Sequence, residues 1–168
     1  MKTVGALLLL SAALLTGLES QRREKLRENT LRSLNASFTL LRSEISSGLV
    51  TTEEALEAAK ARSGGKTREF YSRVLSGMDR LGDKTFAEIW TEAAEEFDAL
   101  SKEEREAVDE VGAGLGRYDR ETVAALLDRA EARLASMLGL LEKKRLKEGI
   151  LRLILPLAAA AVFIILML

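Results

Sequence analysis

Between positions 31 and 45 the apolar residues Leu31, Leu34, Phe38, Leu41 and Ile45 recur every three or four places. That spacing puts them on one stripe of a helix, and Ser46, Ser47 and Gly48 are expected to stop it. The stretch TTEE then offers a capping box, with Thr51 as N-cap and Glu54 three residues on. It opens a short helix that is expected to end at Ser63, Gly64 and Gly65. Phe70, Val74, Met78 and Leu81 predict a third helix, closed by Gly82 and Asp83. A fourth carries Phe86, Ile89, Trp90, Ala93 and Phe97, and Ser101 with Glu104 repeats the capping box before a fifth. Asp119 is placed to cap the last helix, whose seam is Val123, Leu127, Ala130, Leu134, Met137 and Leu141. No breaker follows until Pro156, so this helix is expected to continue toward the C-terminus.

The two ends have no such stripe. Residues 4–18 carry no charge, and neither do residues 153–168. As helices these runs measure ~22 Å and ~24 Å at about 1.5 Å per residue, each short of a ~30 Å hydrocarbon core. A helix apolar on every face belongs in lipid, and Arg152 can extend the second run by snorkelling. The first run could serve as a secretory signal, but no small-x-small cleavage site closes it, and QRREKLR directly after it opposes translocation. An uncleaved anchor is the preferred reading. Arg22, Arg23, Lys25 and Arg27 follow the first run, and Lys143, Lys144, Arg145, Lys147 and Arg152 precede the second. The positive-inside rule then puts the middle of the chain in the cytosol and both termini outside. The expected architecture is all-α: an N-terminal anchor over residues 1–20, a cytosolic bundle of about five to six helices over 21–149, and a C-terminal transmembrane helix over 150–168.

Composition narrows the chemistry. The 168 residues include no cysteine and no histidine, which removes disulfides, thiolate metal ligands and the usual neutral-pH general base. The net charge of −1 hides an uneven layout. Between positions 83 and 110 eleven acids stand against Lys84, Lys102 and Arg105, a local balance of −8. No basic face of the kind nucleic acids require dominates. The acidic segment suits either solubility or a basic patch on a protein partner. Its paired acids (Glu95 and Glu96, Glu103 and Glu104, Asp109 and Glu110) diverge by about 100° on a helix and cannot share a ligand, so they are expected on solvated faces.

Two glycine-rich stretches invite a nucleotide reading and fail it. VGAGLGRYDRET, residues 111–122, spaces Gly112, Gly114 and Gly116 as G-x-G-x-G, puts Arg117 where a dinucleotide loop needs glycine, and follows a helical pattern rather than a strand. SGGKT, residues 63–67, has Lys60 where a phosphate loop needs its first glycine. The first stretch reads as a corner between helices. Gly112 and Gly116 share a face that lets helices approach closely, and Gly116 is expected to end its helix in a left-handed conformation. No catalytic, cofactor or metal site emerges, and the chain is expected not to be an enzyme.

The order of segments is itself informative. A short N-terminal anchor, LLRSEISSGLVTTEEAL over residues 40–56, FAEIWTEAAEE around Trp90, GAGLGRYDRE over 112–121 and an apolar terminal helix follow one another along the whole chain. In this the chain resembles the stage III sporulation protein AB family of endospore-forming bacteria, whose soluble region is similar to the cytoplasmic helical domains of type II secretion platform proteins. Thr52 and Val123 depart from the family's frequent proline and glutamine at those places. The resemblance implies a part in the channel joining mother cell and forespore, within the mother-cell membrane around the forespore. It implies as partners the secretion-type ATPase of the same operon and other membrane proteins of that channel, with no nucleic acid and no small-molecule substrate. Arg117, Asp119 and Arg120 are the candidate partner-binding residues, beside capping and corner salt bridges as their structural use. A general secretion or pilus platform component and a membrane-anchored helical scaffold are the alternatives.

Overall fold

A computed structural model describes the backbone of residues 2–98 and 100–167 and the side chains of residues 19, 21–98 and 100–144. Helix α1 covers Lys2–Ser47, α2 Thr52–Arg62, α3 Gly65–Gly77, α4 Phe86–Glu95, α5 Lys102–Leu115 and α6 Arg120–Met167. No strand occurs among the described residues, so the all-α class holds. Helices α1 and α6 run unbroken through positions 20 and 150, where the composition changes. Among the described residues no helix is long and apolar enough to cross a membrane. The two uncharged runs, 4–18 and 153–168, lie outside the residues whose side chains are described.

Helices α2, α4, α5 and α6 start where a polar side chain satisfies their first amides, whereas Gly64 precedes α3 without a side-chain cap. Thr51 with Glu54 and Ser101 with Glu104 form the expected capping boxes, and Thr85 with Glu88 forms a third that sequence reasoning passed over. Each helix then packs on the next, and α6 returns along α1, which closes the bundle into a ring. Helices α1 and α6 are antiparallel: Arg42 pairs with Asp128 at 2.8 Å and Glu131 at 3.2 Å, Arg32 pairs with Glu142, and Lys144 reaches Glu24 at 3.6 Å.

The core follows the seams read from the sequence. Leu31, Leu34, Phe38 and Leu41 of α1 are buried with Val123, Leu127, Ala130 and Leu134 of α6. Across the ring Phe70, Tyr71, Phe86, Trp90 and Phe97 form one aromatic cluster, with Phe70 edge-on to Trp90 at a centroid distance of 4.8 Å. The polar ends of these rings are satisfied. Trp90 Nε1 donates to the Val108 carbonyl at 2.9 Å, and the Tyr71 hydroxyl lies 2.7 Å from Ser37 Oγ. Burial drives the Tyr71 phenol far above its ordinary range.

Three expectations are corrected. Helix α3 ends at Gly77 rather than at Leu81, the chain tightens into a 3₁₀ turn over Met78–Arg80, and Leu81 is about half exposed. At this point α3 lies close against α4: a Cβ on Gly77 would lie 2.3 Å from Ile89 Cγ2. The chain must then turn sharply, and Gly82, with φ of +115°, allows it. Gly116 does cap α5, but at φ −96° rather than left-handed. Glu104, assigned to a solvated face, is buried, and its carboxylate accepts Arg27 Nη2 at 2.8 Å, Arg27 Nε at 2.9 Å and the Ser101 amide at 2.7 Å. A carboxylate out of water needs such partners.

Candidate functional site

The α5–α6 corner is built from glycines that each meet a different neighbour. A Cβ on Gly112 would stand 2.2 Å from Trp90 Cδ1, and one on Gly116 would stand 2.9 Å from Phe86 Cβ, so this face of α5 lies almost directly on α4. Gly114 faces the other way, where a Cβ would meet Leu126 Cδ1 of α6 at 2.2 Å. The spacing that looks like a phosphate loop is therefore the footprint of two helices on a third. The Gly114 carbonyl accepts both the Arg117 amide at 3.1 Å and the Tyr118 amide at 3.0 Å, and this forms the turn.

Asp119 is used by the fold. Its Oδ1 accepts the amides of Glu121 and Thr122 at 3.0 Å, and its Oδ2 accepts the Thr122 hydroxyl at 2.8 Å. These bonds, the one from the Thr122 amide foremost, hold the Asp119 carboxyl below the usual aspartate range. Arg117 and Arg120 are free of that duty. The Arg117 guanidinium lies 5.8 Å from the Tyr118 ring centroid, within reach of a cation–π contact.

Arg120 reaches across to the α1–α2 turn. Its Nη1 occupies the space beside Gly48, where a Cβ would lie only 2.2 Å away. Gly48 itself has φ of +67°, a conformation that other residues adopt only with strain. Two segments about 70 positions apart thus meet at one end of the bundle. Beside them Leu49 is 88% exposed and Tyr118 is 50% exposed. Of the sequence-predicted residues, Asp119 caps α6, Arg117 lies over Tyr118 and Arg120 lies beside Gly48. What the sequence did not reveal is the contribution of Gly48 and Leu49. The only hint of it was the position of Gly48 and Leu49 inside the EISSGLVTTEE segment.

A concavity of about 510 Å³ lies between α3 and α4. Its charges close on one another: Arg73 pairs with Glu96 at 2.9 Å, and Arg80 and Lys84 pair with Glu92. Its hydroxyls donate back into α3, Ser72 to the Arg68 carbonyl and Ser76 to the Ser72 carbonyl. Thr67, in the stretch that mimics a phosphate loop, is wholly buried. No group of three or more acidic residues among those described is arranged to hold a metal ion.

Comparison with known proteins agrees with this architecture. The stage III sporulation protein AB family matches residues 2–168. A solved structure of a stage III sporulation protein AB is similar to this chain with a TM-score of 0.64, at 22% identity over 73% of this chain and 98% of that one. At that identity the likeness concerns the fold. No curated protein matches the chain.

Proposed function

The chain belongs to the stage III sporulation protein AB family, and from that premise we propose that it is a non-enzymatic membrane component of the channel between mother cell and forespore. A sporulation-related role follows from the family. In the finer reading, residues 4–18 and 153–168 cross the mother-cell membrane around the forespore, and the bundle faces the mother-cell cytosol. There it docks the secretion-type ATPase of the same operon and other membrane subunits, coupling them by contact rather than by chemistry.

The observation that carries this reading is the polarity of the bundle. Helices α1 and α6 are antiparallel, so the start of α1 and the end of α6, with their apolar runs, leave at one end. The α5–α6 corner and the α1–α2 turn close the other. That far end presents Leu49, Tyr118, Arg117 and Arg120 together, a mixture of exposed apolar and guanidinium groups of the kind that anchors protein interfaces.

The test is a deletion in the spore-forming source organism, complemented with wild type or with Arg117→Glu/Arg120→Glu. Deletion should arrest sporulation after engulfment. The charge-reversed chain should accumulate normally yet fail to co-purify the ATPase. Normal spores after deletion would remove the channel role, and undiminished co-purification would remove the corner as the docking face.

A further inference from the structure

Five bases separated by almost the whole chain converge at the end of the bundle opposite the corner. Lys144 Nζ lies 3.6 Å from Glu24 Oε1, which sets residues 22–25 of α1 level with residues 143–144 of α6. Arg22, Arg23, Lys25, Lys143 and Lys144 are all exposed there. With their neighbours, Arg22, Arg23, Lys25, Arg32, Lys143 and Lys144 stand among Glu19, Glu24, Glu28 and Glu142, an excess of two positive charges.

We propose that Arg22, Arg23, Lys25, Lys143 and Lys144 form a collar that binds the phosphate headgroups of anionic phospholipids. The inference rests on the membrane reading above. Cationic clusters next to a membrane segment are drawn to anionic lipid, each charge raising affinity by about fivefold. Neither basic cluster makes this site alone: the α1–α6 register assembles it from two ends of the chain.

The experiment uses the full chain in mild detergent, titrated with equimolar phosphatidylcholine and phosphatidylglycerol and read by native mass spectrometry. Phosphatidylglycerol should be retained at least ~5-fold over phosphatidylcholine, in line with one or more headgroup contacts. The variant Arg22→Gln/Arg23→Gln/Lys143→Gln/Lys144→Gln should bring the two within about twofold, with helicity unchanged by circular dichroism. If that variant misfolds, Arg22→Lys/Arg23→Lys should keep the preference, and Lys143→Gln/Lys144→Gln alone should reduce it. Equal retention by the wild type, or an unchanged preference in the charge-removed variants, overturns the collar. Alkaline extraction of the chain from native membranes tests the membrane reading separately. Release into the soluble fraction sinks the spans, whereas retention without lipid preference sinks the collar alone.

Discussion

Helices α4 and α5 meet along bare backbone, with Trp90 lying over the Cα of Gly112, whereas α1 and α6 meet along a leucine seam edged by ion pairs at Arg32, Arg42 and Lys144. The first contact depends on shape: a ring fills a space that no other atom at position 112 can share. The second depends on area, with charges that fix register at the rim. Shape-dependent contacts tolerate no added methyl, because interiors are packed as densely as crystals. Area-dependent seams tolerate the loss of a rim charge, because exposed ion pairs each contribute only about 0–1 kcal/mol.

Three substitutions probe that contrast, and denaturant titration of the full chain reads all of them. Trp90→Ala should have the largest effect, a loss of about 3–5 kcal/mol, through the cavity it leaves and the lost bond to the Val108 carbonyl. A loss below 1 kcal/mol would mean that the aromatic cluster collapses freely, and the contrast would fail. Gly112→Ala should destabilise by about 1–3 kcal/mol, although helix propensity alone favours alanine by about 1 kcal/mol. A stabilised Gly112→Ala chain would show that Trp90 can move aside. Arg42→Gln should cost no more than about 1 kcal/mol, and less at high salt, because the Asp128 carboxylate is exposed and Glu131 keeps the Thr39 hydroxyl as donor. A larger, salt-independent loss would place the α1–α6 pair among the shape-dependent contacts.

The seams were legible because helical periodicity is local: Leu31, Leu34, Phe38 and Leu41, or Val123, Leu127, Ala130 and Leu134, state their own face. So were two of the three capping boxes, which need only four consecutive residues. The Arg27–Glu104 pair was hidden. Glu104 reads like Glu54 and Glu88, the acids of the two exposed boxes. Its burial comes from a guanidinium 77 positions away, which no local pattern encodes. Gly112 was read as a site of close approach and is one. Gly116 was assigned a turn conformation, whereas its place is explained by Phe86 pressing on it, a tertiary fact. At the corner, Arg117 and Arg120 stood out in the sequence, but the crossing of Arg120 onto Gly48 depends on how α1 and α6 are juxtaposed.

The return of α6 along α1 also sets a timetable for synthesis. The α1 seam is complete once Leu41 has been made, yet its partner helix is finished only about a hundred residues later, near Glu142. At about 5–20 residues per second that interval is roughly 5–20 s. Throughout it, an apolar stripe waits beside a nascent chain with only α2 and α3 to cover it. The ribosome must therefore deliver α6 before this protein's longest contact can form, and the leucines of α1 are the surface that a chaperone would meet first.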